Sequence, residues 1–198
     1  ANGLSQYMEQ LKGNFSVVSI DRGQRGDPYI EEDEALSLVD SAQFEVSLVK
    51  GAPEDTGSPI LRPAVPAVGD WRHALEHTCK LASRDRGEIT VIYMIPVPRT
   101  QPIDVSMPDA DAAAADCRNE ATRIARRYSQ RVNVIVERVR DPILAFLKML
   151  GAGHYDLSVV GVRRQPQGDD HVARAMARSL LQELPTEVVF LRTGRTGR

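Results

Sequence analysis

Glycine and arginine cluster after an apolar run near the C-terminal end of the chain. The run at 157–162 contains Gly161, and Arg163, Arg164 and Gly168 follow it. A strand that ends beside glycine, before a loop and a helix N-terminus, lets backbone N–H groups receive a phosphate. Arginine side chains add paired contacts to anionic oxygens. This pattern predicts a phosphate or anion site.

Acidic residues in the same stretch offer a second interpretation. Asp169 and Asp170 follow the loop directly and can pair with the arginines, or the arginines can lie in solvent. The sequence leaves both interpretations open.

Side chains that could act as nucleophiles or metal ligands are scattered. Cys79 and Cys117 fall on the inward stripes of predicted helices, where a buried thiol is inert. His73 and His77 lie four residues apart on one helix, but no third metal ligand is near them in sequence. We therefore predict no catalytic residue and no metal site, and we expect the chain not to be an enzyme.

Composition narrows the class of protein. The 198 residues are 42% apolar, which is enough to fill a core, and the net charge of −2 gives no global attraction for nucleic acid. No apolar run approaches the roughly 18 residues that a membrane-spanning helix needs. The two cysteines form no C-x-x-C pair, which favours a reducing, cytoplasmic setting. We expect no nucleic-acid partner.

Strand and helix patterns alternate beyond the glycine and proline cluster at 51–59. We place a domain boundary there, with an N-terminal extension or linker at 1–58 and one domain at 59–198. The strands are predicted within 60–65, 88–97, 132–139, 155–162 and 186–192, and the helices within 71–82, 110–129, 142–150 and 170–184. This alternation predicts an α/β fold, a parallel sheet with helices on both faces, and a ligand at the carboxyl ends of its strands.

Local signals mark the ends of two of these helices and suggest elements in the extension. Asp141 before Pro142 predicts an N-cap with proline at the first helical position, and Asp170 predicts the cap of the last helix. In the extension, FSVVSID and QFEVSLVK read as strands, and LSQYMEQLK and EEDEALSLVDSA read as short helices.

From residue 60 to residue 192 the order of motifs resembles the universal stress protein domain. The markers are ILRPAV, DPILAFLKML followed by GAGHYDLSVVG, and LLQELPTEVVFLR. The resemblance implies a flavodoxin-like sheet of five parallel strands with helices on both faces, as in adenine nucleotide alpha-hydrolase-like proteins, plus the N-terminal extension. It also implies a homodimer through the C-terminal edge strand.

The ATP-binding branch of that family carries a Gly-x-x-Gly pair and a later Gly-Ser or Gly-Thr, which this sequence retains only in part. Gly161 is kept, but Arg164 and Arg174 stand at later glycine positions, and Val65 replaces an aspartate. The resemblance therefore implies a degenerate nucleotide or phosphate site, with ATP or a cyclic dinucleotide as candidate ligands. The predicted ligand-binding residues are Val65, Gly161, Arg163, Arg164, Gly168 and Arg174.

Two further stretches bear on the setting of the domain. IPVPRTQPID at 95–104, and ERVRDP with Arg140, resemble universal stress domains on the cytosolic side of amino acid permease transporters. This predicts a regulatory cytosolic domain of an inner-membrane transporter, with the membrane part in the same chain. The alternatives are a stand-alone universal stress protein with weak ATP binding and a structural dimerisation domain.

Overall fold

A computed structural model describes residues 15–20, 45–50, 61–82, 87–152, 155–163, 168–183 and 187–192. The two helices predicted in the extension lie outside these residues. The strands are β1 (Phe15–Ile20), β2 (Glu45–Lys50), β3 (Pro63–Pro66), β4 (Ile89–Pro96), β5 (Val132–Val139), β6 (Leu157–Val162) and β7 (Glu187–Arg192). The helices are α1 (Trp71–Ala82), α2 (Pro108–Arg127), α3 (Pro142–Gly151) and α4 (Asp170–Glu183).

The strands form one sheet in the order β1-β2-β7-β6-β3-β4-β5. All neighbours pair in parallel except β2 and β7, which are antiparallel. The predicted α/β class with a parallel sheet is confirmed. The sheet has seven strands rather than five, because β1 and β2 of the extension continue it beyond β7.

The C-terminal strand β7 is not at an edge of the sheet. It pairs with β6 on one side and with β2 on the other. The edge that the expected homodimer requires is therefore covered by the chain itself, because a strand can pair on only two sides. The homodimer stays a prediction and needs a different surface.

Helices cover both faces of the sheet, and successive residues of β3 separate the two cores. Ala64 belongs to the core that contains Phe146 of α3 and Met176 of α4. Val65 belongs to the opposite core, with Leu75 of α1 and residues of α2. Alternation along a strand buried on both faces produces this division. Among the described residues, no helix has the length and apolar character needed to cross a membrane.

Helix α3 begins as the sequence predicts. The Asp141 carboxylate accepts hydrogen bonds from the N–H groups of Ile143 (3.0 Å) and Leu144 (3.1 Å), and Pro142 is the first helical residue. This cap satisfies two N–H groups that have no partner within the helix.

Arg140 holds the loop that follows β4. Its guanidinium donates to the carbonyl oxygens of Val97 (3.2 Å), Pro98 and Gln101 (2.7 Å). The stretches at 95–104 and 137–142, which are separate in the sequence, are therefore one structural feature at the carboxyl ends of β4 and β5.

Asp156 joins the opposite ends of two central strands. Its carboxylate accepts hydrogen bonds from the N–H groups of Leu61 (2.9 Å) and Arg62 (3.0 Å), just before β3. The Asp156 N–H in turn donates to the Arg62 carbonyl oxygen at 3.3 Å. This residue thus fixes β6 beside β3.

Asp156→Ala is expected to lower the free energy of unfolding by about 1–3 kcal/mol, because it leaves backbone N–H groups without their acceptor. Chemical denaturation measures this change. Asp104→Ala, at an exposed aspartate, is the control and should cost less than about 0.5 kcal/mol. Equal stability of the two variants would contradict this role of Asp156.

Candidate functional site

The winding of the sheet reverses at β3, which has β4 on one side and β6 on the other. In an open parallel sheet, ligands bind outside the carboxyl ends of the strands at such a point. Here the loop at 67–70 after β3, the end of β6 and the start of α4 meet. We call this place the β3–β6 crevice.

Gly69 allows these segments to come together. Its φ is +58°, and a Cβ there would lie 2.5 Å from the Gly161 carbonyl oxygen and 2.7 Å from the Ala173 Cβ. Only glycine accepts both the left-handed backbone and the close approach. Sequence reasoning missed Gly69, although a glycine between a strand and a helix start is the signal that marks such a position.

Gly161 is required by the packing of α1. The Asp70 N–H donates to the Gly161 carbonyl oxygen at 3.0 Å. A Cβ on Gly161 would meet the Asp70 carbonyl group, with its carbon at 2.7 Å. The glycine that the sequence assigned to phosphate therefore admits the backbone that leads into α1.

Asp170 occupies the position between the end of β6 and the start of α4. Its side chain is fully buried, and its Oδ1 accepts a hydrogen bond from the Arg163 N–H at 3.0 Å. The predicted cap at Asp170 is wrong in its partner, because the carboxylate reaches back to the end of the strand. The backbone carbonyl of Asp169 instead accepts from the N–H groups of Val172 (2.9 Å) and Ala173 (3.2 Å).

Arg174 encloses the same carboxylate from the next turn of α4. Its Nη2 donates to the Arg163 carbonyl oxygen at 2.8 Å, and its Nε lies 3.7 Å from Asp170 Oδ2. For Arg174, the structure therefore contains the acid-paired arrangement that the sequence left open.

The other predicted ligand-binding residues are distributed differently. Gly168 lies at the start of α4 with φ +59°, and its carbonyl oxygen is 3.2 Å from His171 Nδ1. Val65 is fully buried in the apolar core with Leu75, so its side chain packs the sheet. Arg164 lies outside the described residues. The structure thus brings together Gly161, Arg163, Gly168 and Arg174, but not Val65.

Three electropositive features surround Asp170. They are the Arg163 N–H, the Arg174 guanidinium and the N-terminus of α4 with its partial positive charge. These are the groups that would otherwise receive a phosphate. The carboxylate of the chain itself lies among them.

Tyr93 of β4 lies electrostatically close to the same region. Burial is the main cause that raises the pKa of this half-buried side chain, with further contributions from Cys117 and Asp169. The contribution of Asp169 links β4 to the start of α4. Sequence reasoning assigned no role to Tyr93.

Both cysteines are buried and free. Burial raises the pKa of the Cys79 thiol to about 11, with Glu76 adding to it, and burial also raises the pKa of the Cys117 thiol to about 11. Such thiols are poor nucleophiles near neutral pH. In the described part of the chain, no group of three His, Cys, Asp or Glu side chains is placed to hold a metal ion.

The fold is similar to that of solved universal stress proteins. One from Archaeoglobus fulgidus DSM 4304 superposes with a TM-score of 0.62 at 14% identity, over 99% of this chain and 66% of that one. A putative universal stress protein from Pseudomonas aeruginosa UCBPP-PA14 gives 0.57 at 12%, over 96% and 66%. A universal stress protein from Archaeoglobus fulgidus in complex with dAMP gives 0.53 at 12%, over 68% and 99%.

The chain thus spans just under two thirds of the first two proteins. At these identities the similarity establishes the fold. No protein-family model matches the sequence, and a search of curated proteins finds no match.

Two glycines with positive φ give a matched test of the crevice geometry. Gly69→Ala should lower the free energy of unfolding by about 2–5 kcal/mol, because it combines a strained backbone with overpacking. Gly168→Ala should cost only about 1–2 kcal/mol, because a Cβ there meets nothing within 4 Å. Equal losses in urea denaturation would contradict the close approach at Gly69.

The thiols offer a second test. At pH 8 a thiol with a pKa of about 11 is ionised to only about one part in a thousand. We expect Cys79 and Cys117 to react with a disulfide reagent at least roughly 100-fold more slowly in the folded protein than in denaturant. Variants that lack one cysteine assign the rates, and a fast reaction of either thiol in the folded protein would refute this expectation.

Proposed function

We propose that this chain is a non-enzymatic regulatory domain with the universal stress protein fold and a degenerate nucleotide site in which Asp170 occupies the anion position. The observation that carries the proposal is the fully buried Asp170 carboxylate, which accepts the Arg163 N–H and faces Arg174. Ordinary ATP binding at this place is therefore weak.

Charge repulsion gives the magnitude. A phosphate bound about 5 Å from the carboxylate would be opposed by roughly 3 kcal/mol per unit charge at an effective dielectric constant near 20. That is a loss of roughly 10²-fold in affinity. The Arg163 N–H would also have to exchange its present acceptor for a ligand oxygen.

A second candidate function is the binding of a phosphate-bearing ligand after Asp170 has moved aside. The solved neighbour with dAMP and the two arginines at the end of β6 and on α4 favour it. ATP and a cyclic dinucleotide remain the ligands to test. A domain that holds such a ligand more tightly in one conformation would shift an attached protein by that difference in affinity.

The setting of the domain is also part of the proposal. The loop clamped by Arg140 joins the two stretches that resemble transporter-attached domains, which supports reading them as one feature. A stand-alone universal stress protein is equally compatible with the fold, as is a dimerisation domain. Sequencing of the complete reading frame separates these settings, because a transporter carries a series of apolar spans.

Replacement of the internal carboxylate tests the proposal. Asp170→Ser leaves the Arg163 N–H, Arg174 and the start of α4 without their anion, so ATP binding should increase by roughly 10²-fold over the unaltered chain. Isothermal titration calorimetry with ATP and with inorganic phosphate measures the change. A second substitution, Arg174→Ala, should reverse the gain.

The matched control is Asp169→Ser, which removes an exposed carboxylate one residue away and should change affinity only slightly. Micromolar ATP binding by the unaltered chain, weakened by Asp170→Ser, would contradict the proposal and favour the second candidate function. Retained affinity in the variant with both Asp170→Ser and Arg174→Ala would place the ligand elsewhere.

A further inference from the structure

Two pairs of strands in the sheet have the same internal register. β1 pairs in parallel with β2, and Phe15 lies opposite Glu45. β6 pairs in parallel with β7, and Leu157 lies opposite Glu187. In both pairs the partners are 30 residues apart, so one offset of 142 residues carries the first pair onto the second.

The same offset aligns the sequences without a gap. Residues 15–50 and 157–192 are identical at 11 of 36 positions, and the strand sequences FSVVSI and EVSLVK stand opposite LSVVGV and EVVFLR. The identities continue between the strands, where Gly26-Asp27 stands opposite Gly168-Asp169. In the first segment the identical residues are Ser16, Val17, Val18, Arg22, Gly26, Asp27, Ala35, Ser37, Leu38, Glu45 and Val46.

The antiparallel junction between β2 and β7 has twofold symmetry under this offset. Val46 lies opposite Arg192, and Lys50 lies opposite Val188. The offset turns each of these pairs into the other, and Leu48 opposite Phe190 maps onto itself. The local twofold axis therefore passes between Leu48 and Phe190, a relation that a sequence alignment alone does not require.

We infer that residues 15–50 are a second copy of the β6–α4–β7 unit, and that the β2–β7 junction is a twofold interface between two units of the same fold within one chain. The printed sequence thus contains the strand–segment–strand unit twice and the block from β3 to α3 once. β2 takes the place beside β7 that the same strand of a second molecule would take in a symmetric dimer.

Chance resemblance between apolar strands does not account for these observations. It would produce neither the shared 30-residue spacing nor the mutual exchange of opposed pairs. The span of the structural similarity agrees with this, because the solved structures that extend beyond this chain superpose over 99% and 96% of it, extension included. The inference is independent of what the β3–β6 crevice binds.

The copy also has a consequence for charge at the crevice. The offset places Asp21 opposite Arg163 and Glu32 opposite Arg174, while Pro28 stands opposite Asp170. The second copy therefore lacks both the cationic residues and the buried carboxylate. The chain has one set of the groups described at the crevice, although the unit occurs twice.

Disulfide trapping tests the interface with four cysteine positions used in two combinations. The pairs Val46→Cys with Arg192→Cys and Lys50→Cys with Val188→Cys place Cα atoms directly opposite, about 5 Å apart, within the reach of a disulfide. The exchanged pairs, Val46→Cys with Val188→Cys and Lys50→Cys with Arg192→Cys, place them roughly 13 Å apart. Each substitution occurs once in each set, so the sets are matched in composition.

We expect both opposed pairs to form a disulfide within one molecule under mild oxidation, seen as the loss of two hydrogens in the intact mass of a monomer. The exchanged pairs should remain reduced. Cross-linking of the exchanged pairs instead would mean a parallel junction and would overturn the twofold relation. Disulfide-linked dimers of the opposed pairs would mean that β2 comes from another molecule and would overturn the single-chain interface.

The absence of a disulfide in all four variants would also overturn the inference. Circular dichroism of the reduced variants establishes that each is folded. A third opposed pair, Ser47→Cys with Leu191→Cys, serves if one of the first two does not fold.

Discussion

The close approach of the Asp70 backbone to Gly161 is the constraint on which the candidate site depends. The hydrogen bond from the Asp70 N–H to the Gly161 carbonyl oxygen draws the start of α1 onto the end of β6. Gly69 then lies where any side chain would strike Gly161 or α4, so the first turn of α4 packs close above it. Asp170 is consequently enclosed, without contact with solvent. A buried carboxylate needs positive partners, and the Arg163 N–H, Arg174 and the helix N-terminus supply them.

The rest of the sheet keeps this arrangement rigid. Asp156 ties the starts of β3 and β6 at one end of the strands, and Arg140 holds the loop after β4 at the other. Cores on both faces fix the sheet between two layers of helices. Beyond β7 the sheet continues into β2 and β1, so the strand next to the crevice strand is not a free edge. The internal repeat gives this continuation a physical reason, because a twofold pairing of like strands covers the edges of both.

Local features of the fold could be predicted from the sequence. The helix Trp71–Ala82 and the strand Val132–Val139 have the predicted bounds, and Asp141 caps α3 as its position before proline indicates. Non-local features could not. That Asp170 bonds to Arg163 rather than to its own helix depends on how closely α4 approaches β6, and Gly69 has meaning only once its neighbours from distant segments are known. The offset of 142 residues is present in the letters, but the register between β2 and β7 is what gives it structural meaning.

The central claim is that the carboxylate of Asp170 fills the place of a bound phosphate. A crystal structure of the unaltered chain grown with millimolar ATP tests it most directly. The account predicts density for the Asp170 side chain against the Arg163 N–H and Arg174, with no triphosphate at the start of α4. A triphosphate in contact with the Arg163 N–H, and Asp170 turned out of the crevice, would contradict it.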